Sequence, residues 1–226
     1  MFNKSSLAAF GLIASLGLAS SANATLMSSL ITGGSLAQDD VTFSNFTYTD
    51  VAGPLGDREI PASDIDVTTS STAGSVSLDM VFNGVAMGSD LFEIFGGFDV
   101  TVGGGLRELI GVTMTVFGAV EDVDDFVEAG SNTMGGSAII EVGSLSPQSF
   151  SFALSSLTSL SMEWDAQGEA ELFASLDRIL ITYDLSGQLP PPPPPPVGVV
   201  PAPGVLALIA PALLGFGLLG ARRKRV

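Results

Sequence analysis

The sequence predicts an all-β fold, an antiparallel β-sandwich or jelly roll, flanked by a signal peptide and a C-terminal transmembrane sorting helix. Three observations predict the β domain. Apolar and polar residues alternate with a period of two along several short runs, the signature of half-buried strands. Turn-forming pairs separate these runs: Gly33-Gly34, Gly53-Pro54, Asn83-Gly84, Gly103-Gly104-Gly105, Gly135-Gly136 and Ser186-Gly187. Finally, 46% of the 226 residues are hydrophobic and only 14% are charged, enough apolar surface to build one core.

Residues 1–24 read as an export signal. Lys4 precedes an apolar run of twelve residues, Leu7 to Leu18, and Ala22-Asn23-Ala24 forms a small-x-small cleavage site. The run is short for a membrane span. Cleavage after Ala24 would leave Thr25 as the mature N-terminus, with the Sec translocon and signal peptidase as the implied partners. The alternative is an uncleaved anchor helix.

Residues 25–188 form the β domain. Leu26 to Leu36 begins as a short helix. Val41 and Phe43 alternate, then Phe46 and Tyr48 do so out of phase, which predicts a bulge at Ser44-Asn45. Further strands are expected at Ile65 to Thr69, at Val76, Leu78, Met80 and Phe82, and at Phe98 to Val102. The series continues with Val112, Met114 and Val116, then Ala138 to Val142, Ser149 to Leu154 and Ser159 to Asp165. It ends with Ile179, Ile181, Tyr183 and Leu185. Glu169 to Ser175 is open between extended chain and one or two helical turns. Many short strands with intervening turns suit a sandwich or jelly roll.

Residues 189–199 are a linker. Seven prolines, Pro190 to Pro196, fix φ and lack an N–H, so they favour polyproline II. At about 3.1 Å per residue this spans roughly 22 Å. Residues 200–226 hold Val200-Pro201-Ala202-Pro203, then 18 uncharged and mostly apolar residues from Gly204 to Ala221, then Arg222-Arg223-Lys224-Arg225. As a helix the apolar run is roughly 27 Å long, close to a bilayer core. The basic cluster is expected to stay cytoplasmic, with the β domain across the membrane. Gly215 to Gly220 spells GxGxxG, but no strand precedes it and basic residues follow at once, so close helix packing is the better reading.

The motif, helix and basic cluster together resemble the PEP-CTERM sorting signal, with Ala202 standing where that family usually has Glu. The resemblance implies a Gram-negative bacterial protein. It also implies recognition by an exosortase-like membrane transpeptidase and processing around Val200, Pro201, Ala202 and Pro203, with Arg222, Arg223, Lys224 and Arg225 as the cytoplasmic tail. The protein would be anchored transiently in the inner membrane, then pass to the cell surface or the exopolysaccharide matrix. Several central segments also resemble a recurring arrangement in that family: Leu30 to Ser35, Phe43 to Tyr48, Phe95 to Phe98 and Ile110 to Val116. A plain C-terminal membrane anchor is the alternative.

Charge and residue types narrow the function. Between Asp39 and Asp184 lie all 24 acidic residues and only Arg58, Arg107 and Arg178, a net charge of −21. Such a surface repels phosphate backbones and excludes nucleic acid as a partner. The absence of His and Cys removes His-based nucleophilic catalysis, thiolate metal sites and disulfides. No GxSxG elbow is present. Carboxylates are too numerous to single out a glycosidase pair. Asn45-Phe46-Thr47 spells a glycosylation sequon, read as inert in bacterial export. Trp164 is expected to pack half-buried and not to serve as a ligand platform, and the 14 Phe to fill the core.

Glu121, Asp122, Asp124, Asp125 and Glu128 form the densest acidic run, expected to be solvated or, as a secondary reading, to bind calcium. Asp64 and Asp66 fall on one wet strand face. The main expectation is a non-enzymatic exported surface or matrix protein needing no cofactor. The alternative is a calcium- or polysaccharide-binding adhesion module.

Overall fold

The computed structural model describes residues 24–51, 58–87 and 90–187. The signal peptide, the Gly53-Pro54 turn, the proline linker and the sorting segment lie outside the described residues.

Alternation along the chain builds twelve strands. They are β1 (Thr25–Leu26), β2 (Leu36–Gln38), β3 (Val41–Asp50), β4 (Asp66–Ser71), β5 (Ser75–Met87) and β6 (Leu91–Val102). Then come β7 (Arg107–Val120), β8 (Phe126–Ser131), β9 (Gly136–Glu141), β10 (Gln148–Leu157), β11 (Ser159–Glu169) and β12 (Phe173–Gly187). One helical turn, α1 (Met27–Leu30), follows β1 and buries Met27 and Leu30.

The strands form two six-stranded sheets. The first has the order β1-β4-β5-β12-β7-β10 and the second β2-β3-β6-β11-β8-β9. Every pairing is antiparallel. From β5 to β8 each successive strand changes sheet, as sandwiches and jelly rolls require when one chain covers both sides of a core. The inward residues of both sheets form one hydrophobic cluster, from Val41 and Phe43 through Leu78, Met80, Ile94, Val112 and Met114 to Ile179, Ile181 and Tyr183. Each fully buried side chain of this kind stabilises the fold by about 1.5–3 kcal/mol before entropy is counted.

The expected phase break in β3 is a bulge. Pairing with β6 jumps from Ser44↔Asp99 to Thr47↔Gly97, and Asn45 takes φ 54°. Asn tolerates that left-handed conformation better than a β-branched residue would. Its side-chain amide donates to Asp99 at 2.7 Å. The extra residue lets both Phe43 and Phe46 point inward, Phe43 edge-on to Phe98 and Phe46 stacked on it.

Glu169 to Ser175, open between extended chain and helical turns, is extended: β11 runs to Glu169 and β12 starts at Phe173. Three expectations are corrected. Asn83-Gly84 is not a turn but lies inside β5, at a bulge where the pairing shifts from Leu176↔Gly84 to Arg178↔Val81. A Cβ on Gly84 would lie 2.6 Å from Ile60, so the glycine serves close packing there. Asp64 belongs to a 3-10 turn, Ala62–Asp64, so only Asp66 is on a strand, although both are exposed. Trp164 is not half-buried; it is 2% exposed.

Candidate functional site

The outer face of the second sheet is where the molecule offers a site. Strand alternation turns Phe92, Ile94, Phe98, Met162, Trp164 and Ala166 inward. It therefore turns Glu93, Phe95, Gly97 and Asp99 of β6 outward, with Glu163, Asp165, Gln167 and Glu169 of β11 beside them. Register aligns them into rows. Thr49, Phe95, Asp165, Gly130 and Ser137 form one row from β3 to β9. Thr47, Gly97 and Glu163 form the next, while Glu93, Gln167, Glu128 and Ile139 lie on the other side.

Glycines at Gly97 and Gly130 leave the middle of this face low. Three adjoining hollows result. One of about 180 Å³ is lined by Thr47, Thr49, Phe95, Gly96, Asn132, Glu163 and Trp164. A second of about 210 Å³ shares Asn132 and is lined by Glu128, Asp165, Ser131, Ser137 and three glycines. A third of about 190 Å³ lies between Leu91, Glu93, Phe126, Gln167 and Glu169. Gln167 donates to Glu128 at 3.1 Å, linking the second and third.

Supporting contacts hold the walls. Ser131, buried, donates to the Glu163 carbonyl at 2.6 Å. Thr133 accepts from the Glu163 N–H at 2.9 Å. These bonds tie the β8–β9 turn, which carries Asn132, to β11. Phe95 is 38% exposed at the centre. Burial raises the pKa of Asp165, and the neighbouring Glu128 charge raises it further. Asp99 is held below the usual carboxylate value by hydrogen bonds from Asn45 and Ser161.

The acidic residues expected to bind calcium do not assemble. Among the described residues no three acidic side chains converge into a metal cage. Asp125 turns inward and is 1% exposed. It accepts from the backbone N–H groups of Glu171 at 2.5 Å, Phe173 at 2.9 Å, Asp122 at 3.2 Å and Leu172 at 3.4 Å. Burial pushes its pKa up, but these donors outweigh burial and hold it below the ordinary value. Its lone pairs are spent on closing the turn between β11 and β12. Asp124 stays exposed and Asp122 half-buried, while Glu128 belongs to the outer face of the second sheet.

Thr25, the expected mature N-terminus, starts β1 and pairs with Val67. Ala24 precedes it, exposed. Ala22 and the sorting residues Val200, Pro201, Ala202, Pro203, Arg222, Arg223, Lys224 and Arg225 lie outside the described residues. The outward rows were missed in sequence reading, which weighed carboxylates by density along the chain. Their signal was the alternation of Glu163, Asp165, Gln167 and Glu169 opposite Met162, Trp164 and Ala166.

No protein-family model matches the chain, and neither does any curated protein sequence. Among solved structures, TmCBM61 in complex with β-1,4-galactotriose is similar at a TM-score of 0.30 and 12% identity, over 64% of this chain and 90% of that one. The carbohydrate-binding module TmCBM27, described for specific mannan recognition, is similar at 0.26 and 12%, over 66% of this chain and 99% of that one. Likeness at that level assigns no ligand to this chain.

Proposed function

We propose that this chain is an exported, non-catalytic β-sandwich that binds polysaccharide on the outer face of its second sheet. The observation that carries the reading is the line of three adjoining hollows on one sheet face. Their walls present carboxylates, amides and hydroxyls around the exposed ring of Phe95. Sugars offer hydroxyls at their edges and C–H groups on their faces. Acceptor and donor side chains match the first, and an exposed aromatic ring matches the second. An open trough with no deep pocket suits an extended polymer better than a small molecule.

Delivery rests on the terminal segments. The Ala22-Asn23-Ala24 site would release Thr25, and the Pro201-Ala202-Pro203 motif would be processed by an exosortase-like enzyme. Mass spectrometry of surface and secreted fractions tests both. The expected chain runs from Thr25 to the Val200–Pro203 region; one ending at Val226 would make this a plainly membrane-anchored domain.

Binding is tested by native electrophoresis of the full chain through gels containing soluble galactan, mannan, glucan or polyglucosamine. Retardation in at least one gel, lost in Phe95→Ala, is expected. Equal mobility in all gels would overturn the reading.

A further inference from the structure

We infer that β10 is a docking edge for a second copy of this chain, pairing antiparallel with its own counterpart so that two first sheets join into one. The state of that edge carries the inference. β10 ends the first sheet and pairs only with β7. Among the described residues no other backbone group bonds its main chain. Its straight part, from Gln148 to Ala153, is followed by a bulge in which Ser156 takes φ 47°. Proteins guard such edges with charge, proline, short strands or cover, because unpaired N–H and C=O groups invite another strand. The other three edges follow that rule. β1 and β2 have two and three residues, and β9 ends at Glu141 with Glu128 on its neighbour β8. β10 has ten residues and no charge.

Charge selects the occupant. The chain carries a net charge of −16, so two copies repel wherever acid meets acid. Residues 142–162 are uncharged, the longest such run between Asp39 and Asp184. β7 is also uncharged from Leu109 to Val120, the stretch that β10 pairs with. The first charges inward along the sheet therefore belong to β12, two strands in and about 10 Å from the edge. In a pair the two β12 strands stand roughly 24 Å apart, about three Debye lengths at physiological salt.

The side-chain pattern fits a two-fold. Phe150 and Phe152 lie opposite Met114 and Val112 and so face inward, while Ser149, Ser151 and Ala153 face outward and are exposed. The two rings meet edge to face with centroids 5.9 Å apart. They lie over Gly136 of β9, where a Cβ would sit 3.1 Å from Phe152. Phe152 is still 36% exposed. A symmetric pair centred on Ser151 sets Phe150 against Phe152 of the second copy, twice. Aromatic residues directly opposite each other are favourable cross-strand pairs. A foreign strand would have to supply both the aromatic spacing and the absence of charge, whereas a second copy has them by symmetry. The two-fold runs perpendicular to the sheet, so the outer faces of both second sheets point the same way. Pairing does not rest on the polysaccharide-binding reading, and its failure would leave that reading standing.

The absence of cysteine makes the test clean. In Ser151→Cys the new thiol faces itself across the pair, with Cα atoms about 4.5–5.5 Å apart, inside the disulfide range. Mild oxidation of the full chain in detergent should give at least tenfold more covalent dimer than Ser70→Cys, an exposed position on β4. Sedimentation velocity should find the parent chain dimeric and Ser151→Lys monomeric, because that variant sets like charges directly opposite each other. Ser70→Lys should remain dimeric. Ser151→Lys removes no buried side chain, and its circular dichroism should match that of the parent. Equal crosslinking of the two cysteine variants, or dimers that survive Ser151→Lys, would place the contact elsewhere and overturn the inference. A monomeric parent would also overturn it. Slow amide exchange from Gln148 to Ala153 in that monomer would mean that another part of the same chain covers the edge, and fast exchange that the edge is free.

Discussion

Trp164 lies directly across β11 and β6 from Gly96, and its indole fills the space where a side chain at position 96 would be. A Cβ there would sit 2.3 Å from Cζ2 of the ring. Phe92 covers Gly168 in the same way two turns of the pleat further on. These glycine–aromatic pairs lock the register of the two strands that carry most of the binding face.

Gly96→Ala is expected to cost about 1–3 kcal/mol, the range for overpacking a filled core. Adding Trp164→Phe should recover part of that loss, because the smaller ring vacates the clash. Urea midpoints of the two single variants and the double variant measure it. Strict additivity would show that the two sites do not meet.

Asp40 and Arg107 form an ion pair that is nearly closed to solvent, with side-chain exposures of 8% and 1%. It ties the β2–β3 turn to the start of β7. The Arg107 hydrogen bonds hold the Asp40 pKa below its ordinary value. Asp40→Ala leaves a buried guanidinium uncompensated and is expected to cost about 3–5 kcal/mol. The paired variant Asp40→Leu/Arg107→Met should be less destabilised than Asp40→Ala alone, as read by thermal unfolding.

Asp125 predicts both a stability loss and an insensitivity. Asp125→Ala strands four backbone donors and is expected to cost about 3 kcal/mol. Millimolar calcium should leave the melting temperature of the parent chain unchanged, because a ligand specific to the folded state would raise it. A calcium-dependent rise would reinstate a metal site.

The depressed pKa values of Asp40 and Asp125 set the acid response. Their contribution is complete above the unfolded-state value of about 3.9 and is lost as pH falls through the lower folded-state values. Stability should therefore drop below about pH 4, and the drop should shrink in Asp40→Asn. An unchanged acid limb in that variant would place the linkage elsewhere.

Asp165 has the opposite sign. Its raised pKa means that ionisation works against the folded state, so its cost grows as pH rises from the unfolded value through the folded one. Asp165→Asn should raise the melting temperature at pH 7 and weaken glycan binding in the same protein. A lower melting temperature would remove the case that this carboxylate is kept for binding at the expense of stability.

Alternation alone placed most strands, because a sheet with one buried face leaves a period-two record in the chain. Even the β3 bulge was legible, since the phase change between Phe43 and Phe46 is itself local. Asn83-Gly84 misled, and the Glu169 to Ser175 segment stayed open, each for a physical reason. A bulge inside a long strand uses the same residues as a turn, and a polar segment of a few residues carries too little periodicity to distinguish coil from helix.

By itself, then, the sequence determined the β class and the surplus of acid. Only the tertiary structure decided what each acid does. Asp125 became a buried turn clasp and Asp40 an ion-pair partner, while Glu128 and Asp165 came to share a hollow. Those outcomes depend on which strands become neighbours and in what register. Pairings such as Asp165↔Phe95 and Asp165↔Gly130 join residues far apart in the chain. No local pattern encodes such a pairing before the sandwich closes.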